Sequence, residues 1–352
     1  MIVASTDNSV APSADVGGGF DWQRLGTWAK SQYPLYILIV LLIVASLSTG
    51  SFLTVRNISN VILQVSVIGI VTLAEFLIVL TGGIDISVGS VVGLAGVMSA
   101  SLFGGSNVFL AIVVAIVVGM LVGVVDGYFV AFRGLSPFIV TLGMMALTRG
   151  LVYALTEGIP VSPKATDFGS VATSTLLSFP VIGLIWLILA GVVAFLLRWT
   201  VFGRRIYALG SNTLAARASG VPIRSTLMGV YLLAGALVGL AGYLLAARIG
   251  TATPTGGTLY ELDAIAAVVI GGAALTGGRG RVFGAVVGAL IFQVITNVLV
   301  LLNVSTYLQD AIRGGLILVA IGLTTVQFGN KKKNPPSSSG HISDETKERG
   351  QR

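Results

Sequence analysis

The chain contains no cysteine, a single histidine at position 341, and charged residues at only 10% of its 352 positions. Each shortage removes a class of chemistry. Without cysteine there is neither a disulfide nor a thiolate metal site. The lone His341 lies in a Pro/Ser-rich, charged tail, so a histidine base for serine proteolysis within a bilayer is missing, and zinc ligands are missing with it. No lysine follows a glycine, which excludes the phosphate-cradling pattern G-x-x-x-x-G-K-[ST]. The chain is therefore not expected to hydrolyse ATP itself.

What is abundant is apolar surface. Hydrophobic residues make up 55% of the chain, with 46 glycines among the remainder. A bilayer core of about 30 Å needs about 20 apolar residues per crossing helix. Ten such windows recur, near 35–50, 58–80, 86–103, 107–132, 135–156, 178–197, 225–247, 260–276, 282–302 and 307–328. The first and eighth carry the weakest signal. The sequence thus predicts an all-α, polytopic integral membrane protein of about ten transmembrane helices. The N-terminal segment is polar and small, without the basic and apolar regions of a cleavable signal.

Counting the spans from a cytoplasmic N-terminus places Arg24, Lys30, Arg133, Arg198, Arg204, Arg205, Arg217, Arg224, Arg279, Arg281 and the tail cations inside. Only Arg56, Lys164 and Arg248 fall outside. This asymmetry is the positive-inside signature and predicts two cytoplasmic termini. It also accounts for the net charge of +7 without a nucleic-acid partner, since no basic patch is interleaved with aromatics. The expected divisions are a cytoplasmic tail over 1–33, a transmembrane domain over 34–328, and a disordered cytoplasmic tail over 329–352.

One interruption in the oily sequence stands out, at 198–224. There Asn212 precedes Thr213-Leu214-Ala215-Ala216-Arg217-Ala218-Ser219, and Gly220 and Pro222 follow. An N-cap, a C′ glycine and a terminating proline bracket about two helical turns outside the membrane. Helices shorter than roughly 12 residues are marginal alone in water, so this one is expected to pack on a partner.

An internal repeat is also visible. Leu80-Thr81-Gly82-Gly83 precedes Gly89, Val91, Val92 and Gly93; Leu275-Thr276-Gly277-Gly278 precedes Gly284, Val286, Val287 and Gly288 at the same offsets, 195 residues on. Transporters are often built from such duplications. The span count places both copies on one side, as a parallel repeat, unless the chain breaks or re-enters at Gly82-Gly83. Ionisable groups within spans are Glu75, Asp126, Arg149, Asp310 and Arg313. Asp126 and Asp310 are expected near span ends in water, with Asp310 and Arg313 an i,i+3 pair. Glu261 and Asp263 suit a helix N-terminus. Glu75 lies deeper and either pairs with a cation such as Arg149 or faces an aqueous cavity. Uncharged polar residues suit a sugar path better than an ion path; Thr72, Thr81, Ser87, Thr141, Gln293, Thr296 and Asn297 are candidates, each also able to serve as a helix–helix hydrogen bond.

The segment Thr81-Gly82-Gly83-Ile84-Asp85-Ile86-Ser87-Val88-Gly89-Ser90 resembles the hallmark of permease subunits of ribose-type monosaccharide ABC importers. Pro137-Phe138-Ile139-Val140-Thr141-Leu142 with Arg149-Gly150 also matches that family, as do the runs from Gly203 to Asn212, Ala215 to Gly220 and Tyr260 to Gly272. The likeness spans about 35–328 in the family's order. It departs in the last span, where Asp310 and Arg313-Gly314-Gly315 replace a more apolar run, a departure that bears on the substrate rather than the class.

The resemblance implies a permease subunit in the bacterial inner membrane, moving ribose or a related pentose or hexose by alternating access. Its partners would be a periplasmic sugar-binding protein, a second permease chain (identical or a close paralogue), a cytoplasmic ABC ATPase and membrane lipid. ATP and Mg would be used by the ATPase, with no cofactor on this chain. The short helix would then be the coupling helix, docking through Gly210, Asn212, Ala215, Ala216, Arg217, Ser219 and Gly220. Loops 157–177 and 248–259 would face the binding protein. Glu75, Thr81, Asp85, Ser87, Thr141, Gln293 and Asn297 are the candidates for the translocation path. The competing readings are a proton-coupled secondary sugar transporter using Glu75 or Asp126, and a passive facilitator.

Overall fold

In a computed structural model, residues 32–329 are described except 106, 165 and 166; the two predicted tails lie almost wholly outside them. The elements run α1 (Tyr33–Ser48), α2 (Val55–Leu80), α3 (Val88–Phe103), α4 (Val108–Ala131), α5 (Pro137–Thr156) and α6 (Ser170–Thr173). A two-residue hairpin, β1 (Thr175–Leu176) with β2 (Phe179–Pro180), leads into α7 (Val181–Trp199), α8 (Val201–Ser211) and α9 (Thr213–Ala218). The chain closes with α10 (Ile223–Ile249), α11 (Tyr260–Ile270), α12 (Val282–Leu301) and α13 (Thr306–Gly329).

Local signals set the boundaries. Thr54 accepts from Asn57 N to start α2, and Asn107 accepts from Phe109 N and Leu110 N to start α4. Pro137 opens α5, where its missing N–H costs nothing. Gly250, at φ 78°, ends α10.

Among the described residues six helices are long and apolar enough to cross a membrane: α2, α4, α5, α7, α10 and α12. Each of the ten predicted windows meets a helix, and the eighth is corrected. It holds only the 11 residues of α11, about 16 Å of rise and half a bilayer core. Gly271 and Gly272 stop it, and 271–281 continue as irregular chain.

The core forms around α2 and α10. Along α10, Gly235 and Gly239 meet Gly119 and Gly123 of α4 so closely that a Cβ on Gly119 would collide with Gly235 O, and one on Gly235 with Gly119 O. These small residues let the two backbones approach within the chain itself. The ends of the bundle differ in charge. Arg198 and Arg217 close α7 and α9, and Arg224 lies over Phe132, beside Arg133. At the opposite end Lys164 packs on Gly105, Val161 bridges Ala252, and α10 ends just after Arg248.

Candidate functional site

Both copies of the Gly-Gly repeat reach the basic end and touch there. Gly82 and Gly277 share a left-handed backbone, φ 84° and 86°, a conformation glycine adopts without Cβ strain. A Cβ on Gly277 would stand 2.8 Å from Gly82 N and 3.0 Å from its Cα. Gly278 N donates to Leu80 O at 2.9 Å. The chain leaves this junction toward α12 and, after the first copy, by the break at Gly82-Gly83 that the sequence allowed, toward α3, which starts only at Val88.

After the first copy the chain turns back into the bundle as irregular, non-helical chain over 84–87 before α3. Non-helical backbone inside a span needs every polar group satisfied. The predicted path residues do this. Asp85 N donates to Glu75 Oε1 at 3.2 Å, Ile86 N to Thr141 Oγ1 at 3.2 Å, and Ser87 N and Oγ to Asp85 Oδ1 at 2.7 Å each. Glu75, Asp85, Ser87 and Thr141 therefore converge on one place, where they brace the re-entrant segment. Thr81 Oγ1 is occupied by Ile78 O at 2.7 Å.

Glu75 meets neither of its expected surroundings. It is fully buried, and Arg149 instead donates to Pro254 O and Gly256 O at 2.8 and 3.1 Å. Asp126 was expected in water and is 1% exposed, its Oδ1 without a hydrogen-bond partner; α4 carries it against Ser87 and Tyr231, around a cavity of about 10 Å³. Gln293 bonds Gln64 at 2.9 Å, and Asn297 exchanges two bonds with Asn57 at 2.9 and 3.0 Å, so both tie α12 to α2.

The short helix is capped as the sequence predicts. Asn212 Oδ1 accepts from Ala215 N, Gly220 takes φ 76°, Gly220 N donates to Arg217 O, and Val221 N donates to Ala216 O. These last two bonds make a Schellman motif. Ala215, Arg217 and Ser219 are exposed, but Ala216 is only 4% exposed and turns toward the chain's own helices. Ala216 is thus removed from the surface offered to a partner. Leu214, which sequence reasoning passed over, is 78% exposed.

A further helix was missed. The stretch before Asn212 is α8, started by Thr200 capping Gly203 N, with Gly203, Ile206 and Leu209 on its buried side. That spacing of three was the available signal, masked by Arg204 and Arg205. Its last turn is wedged against both repeat copies: a Cβ on Gly210 would collide with Leu80 O and lie 2.5 Å from Gly278 N. Tyr207, whose hydroxyl burial holds above its ordinary pKa against the pull of Arg281, is a neutral donor to Gly280 O at 2.9 Å. A capped, exposed helix is thereby joined through α8 to the two turns from which α3 and α12 enter the bundle. The loop 248–259 is only partly exposed, because Gly256 and Gly257 dive against Gly93 and Gly89.

Residues 57–321 match the family described as branched-chain amino acid transport system / permease component. The chain is 40% identical to the ribose import permease protein RbsC of Escherichia coli (strain K12) over 303 residues, covering 84% of this chain and 93% of that one. It is 37% identical to the D-allose transport system permease protein AlsC of the same strain, covering 86% and 91%. The galactose/methyl galactoside import permease protein MglC of that strain is 36% identical, with 87% and 97% covered. No solved structure matches the chain.

Proposed function

From the premise that the chain belongs to the branched-chain amino acid transport system / permease component family, we propose that it is the transmembrane permease subunit of an ABC importer for a monosaccharide. It is a transport subunit; ATP is hydrolysed by a separate ATPase. Ribose, allose and galactose, the sugars in the relatives' names, are the first substrates to test.

The observation that carries the mechanism is the lever formed by α8 and α9. Its outer part is exposed and its inner end is lodged on Leu80, Gly278 and Gly280. The basic end of the bundle is then the cytoplasmic face, in keeping with the positive-inside rule, and α9 docks into the ATPase. Movement of the ATPase pushes α8 against both repeat turns. Because the segments that lead into α3 and α12 leave from those turns, the push reaches two helices at once and opens the path first outward, then inward. A periplasmic binding protein delivers the sugar at the opposite end. A second permease chain completes the path; Gly143 and Gly150 on α5 support an unfilled face, since no atom lies within 4 Å of a Cβ placed there. The bacterial inner membrane is the expected location, with both termini inside.

The test is uptake of radiolabelled ribose, allose and galactose into proteoliposomes holding this chain, its ATPase and its binding protein. Uptake should require ATP, and Leu214→Glu should reduce it at least tenfold while the chain still reaches the membrane. Normal uptake by that variant removes the docking assignment. Uptake indifferent to ATP and collapsed by a protonophore favours the proton-coupled reading.

A further inference from the structure

Resting on the sugar-import reading, we infer that Asp263, Arg313 and Asp310 form a contact site for sugar hydroxyls within the membrane path. Arg313 of α13 stands 3.7 Å from Asp310 Oδ1 and 3.9 Å from Asp263 Oδ2 of α11. Both separations exceed hydrogen-bond reach. One guanidinium faces two carboxylates, so the triad keeps one negative charge in excess, and no hydrogen bond joins its members. Arg313 Nε is buried without a hydrogen-bond partner, and the Asp310 side chain is 47% exposed. A closed structural pair would look different, with two parallel contacts of about 2.8 Å saturating the guanidinium fork.

Ionisable groups on membrane helices are costly and mark pathways. A guanidinium and two carboxylates left short of hydrogen bonds call for a ligand that supplies both donors and acceptors. An aldose has that chemistry: vicinal hydroxyl oxygens accept from the guanidinium, and hydroxyl protons go to the two carboxylates. Space is present as well. Gly314 and Gly315 follow Arg313, and no atom lies within 4 Å of a Cβ placed on either. Unlike Gly119 or Gly235, these glycines serve no close packing in this chain, although each weakens the helix relative to alanine. They leave the α13 backbone bare beside the guanidinium.

The experiment uses the nucleotide-free permease–ATPase complex in detergent, without binding protein, and measures equilibrium binding of radiolabelled D-ribose, D-allose and D-galactose. The wild type should bind whichever sugar it imports, weakly and saturably. Asp310→Asn, at an exposed side chain, and Arg313→Lys, which keeps the charge but loses the fork, should each weaken binding roughly tenfold, the loss of one charge-assisted hydrogen bond. Both should shift the ratio of uptake among the three sugars, as expected where a hydroxyl is read by a polar group. Wild-type binding and sugar preference in both variants would overturn the assignment, as would a wild type that imports sugar without binding it here. A wild type that imports none of the three refutes the import reading itself, a separate result.

Discussion

The two copies of the Leu-Thr-Gly-Gly turn share a backbone and differ in what surrounds them. Gly82 and Gly277 have nearly the same φ, and each copy leads into a helix, α3 at Val88 and α12 at Val282. The first copy follows the 26-residue α2 and continues into a segment braced by Glu75, Asp85 and Thr141. The second follows the 11-residue α11 and continues through Arg279 and Arg281, both exposed. At the offsets of Glu75 and Asp85 the second copy has Ile270 and Gly280. The two turns share a close crossing, while the residues around them differ. The first is braced inside the bundle, the second receives Tyr207 at Gly280, and Gly210 is wedged between the two.

Three substitutions test this division. Gly277→Ala should have the largest effect, because a Cβ there meets the Gly82 backbone at 2.8 and 3.0 Å in a left-handed conformation. Strain and overpacking together amount to about 3 kcal/mol, read as a lowered midpoint of thermal unfolding in detergent and loss of uptake. Gly82→Ala should cost less, about 1 kcal/mol from backbone strain alone, since its nearest neighbour is Thr276 O at 3.4 Å. Equal destabilisation of the two variants would break the asymmetry drawn here. Glu75→Gln should have the smallest effect, within about 1 kcal/mol and with uptake within about twofold of wild type, because its amide oxygen can still accept from Asp85 N. Collapse of uptake in that variant would instead revive Glu75 as a proton carrier.

Much of the fold was legible because the membrane imposes a length on every crossing helix. The windows of apolar sequence marked ten helices, and Asn212 and Gly220 marked α9 to the residue. The eighth window misled because Ala273, Ala274 and Leu275 are as oily as a helix interior, while Gly271 and Gly272 ended the helix. The site was legible in composition more than in role. Glu75, Asp85, Ser87 and Thr141 lie together, yet hydrophobicity cannot say that they satisfy the non-helical backbone at 84–87. Gln293 and Asn297 carried the same polar signal, and their partners Gln64 and Asn57 lie more than two hundred residues away in sequence.

By itself the sequence determined the membrane class, the positions of the apolar helices, the charged end and the capped helix, since each follows from residues near one another along the chain or from the demands of the bilayer. Only the tertiary structure decided that Ala216 turns inward, that Gly210 is wedged on both repeat turns, and that Arg313 gathers Asp263 as well as Asp310. Those outcomes depend on which helix faces meet, and that is settled by close packing between segments far apart in sequence, where a glycine in one helix gains meaning only from the backbone pressed against it.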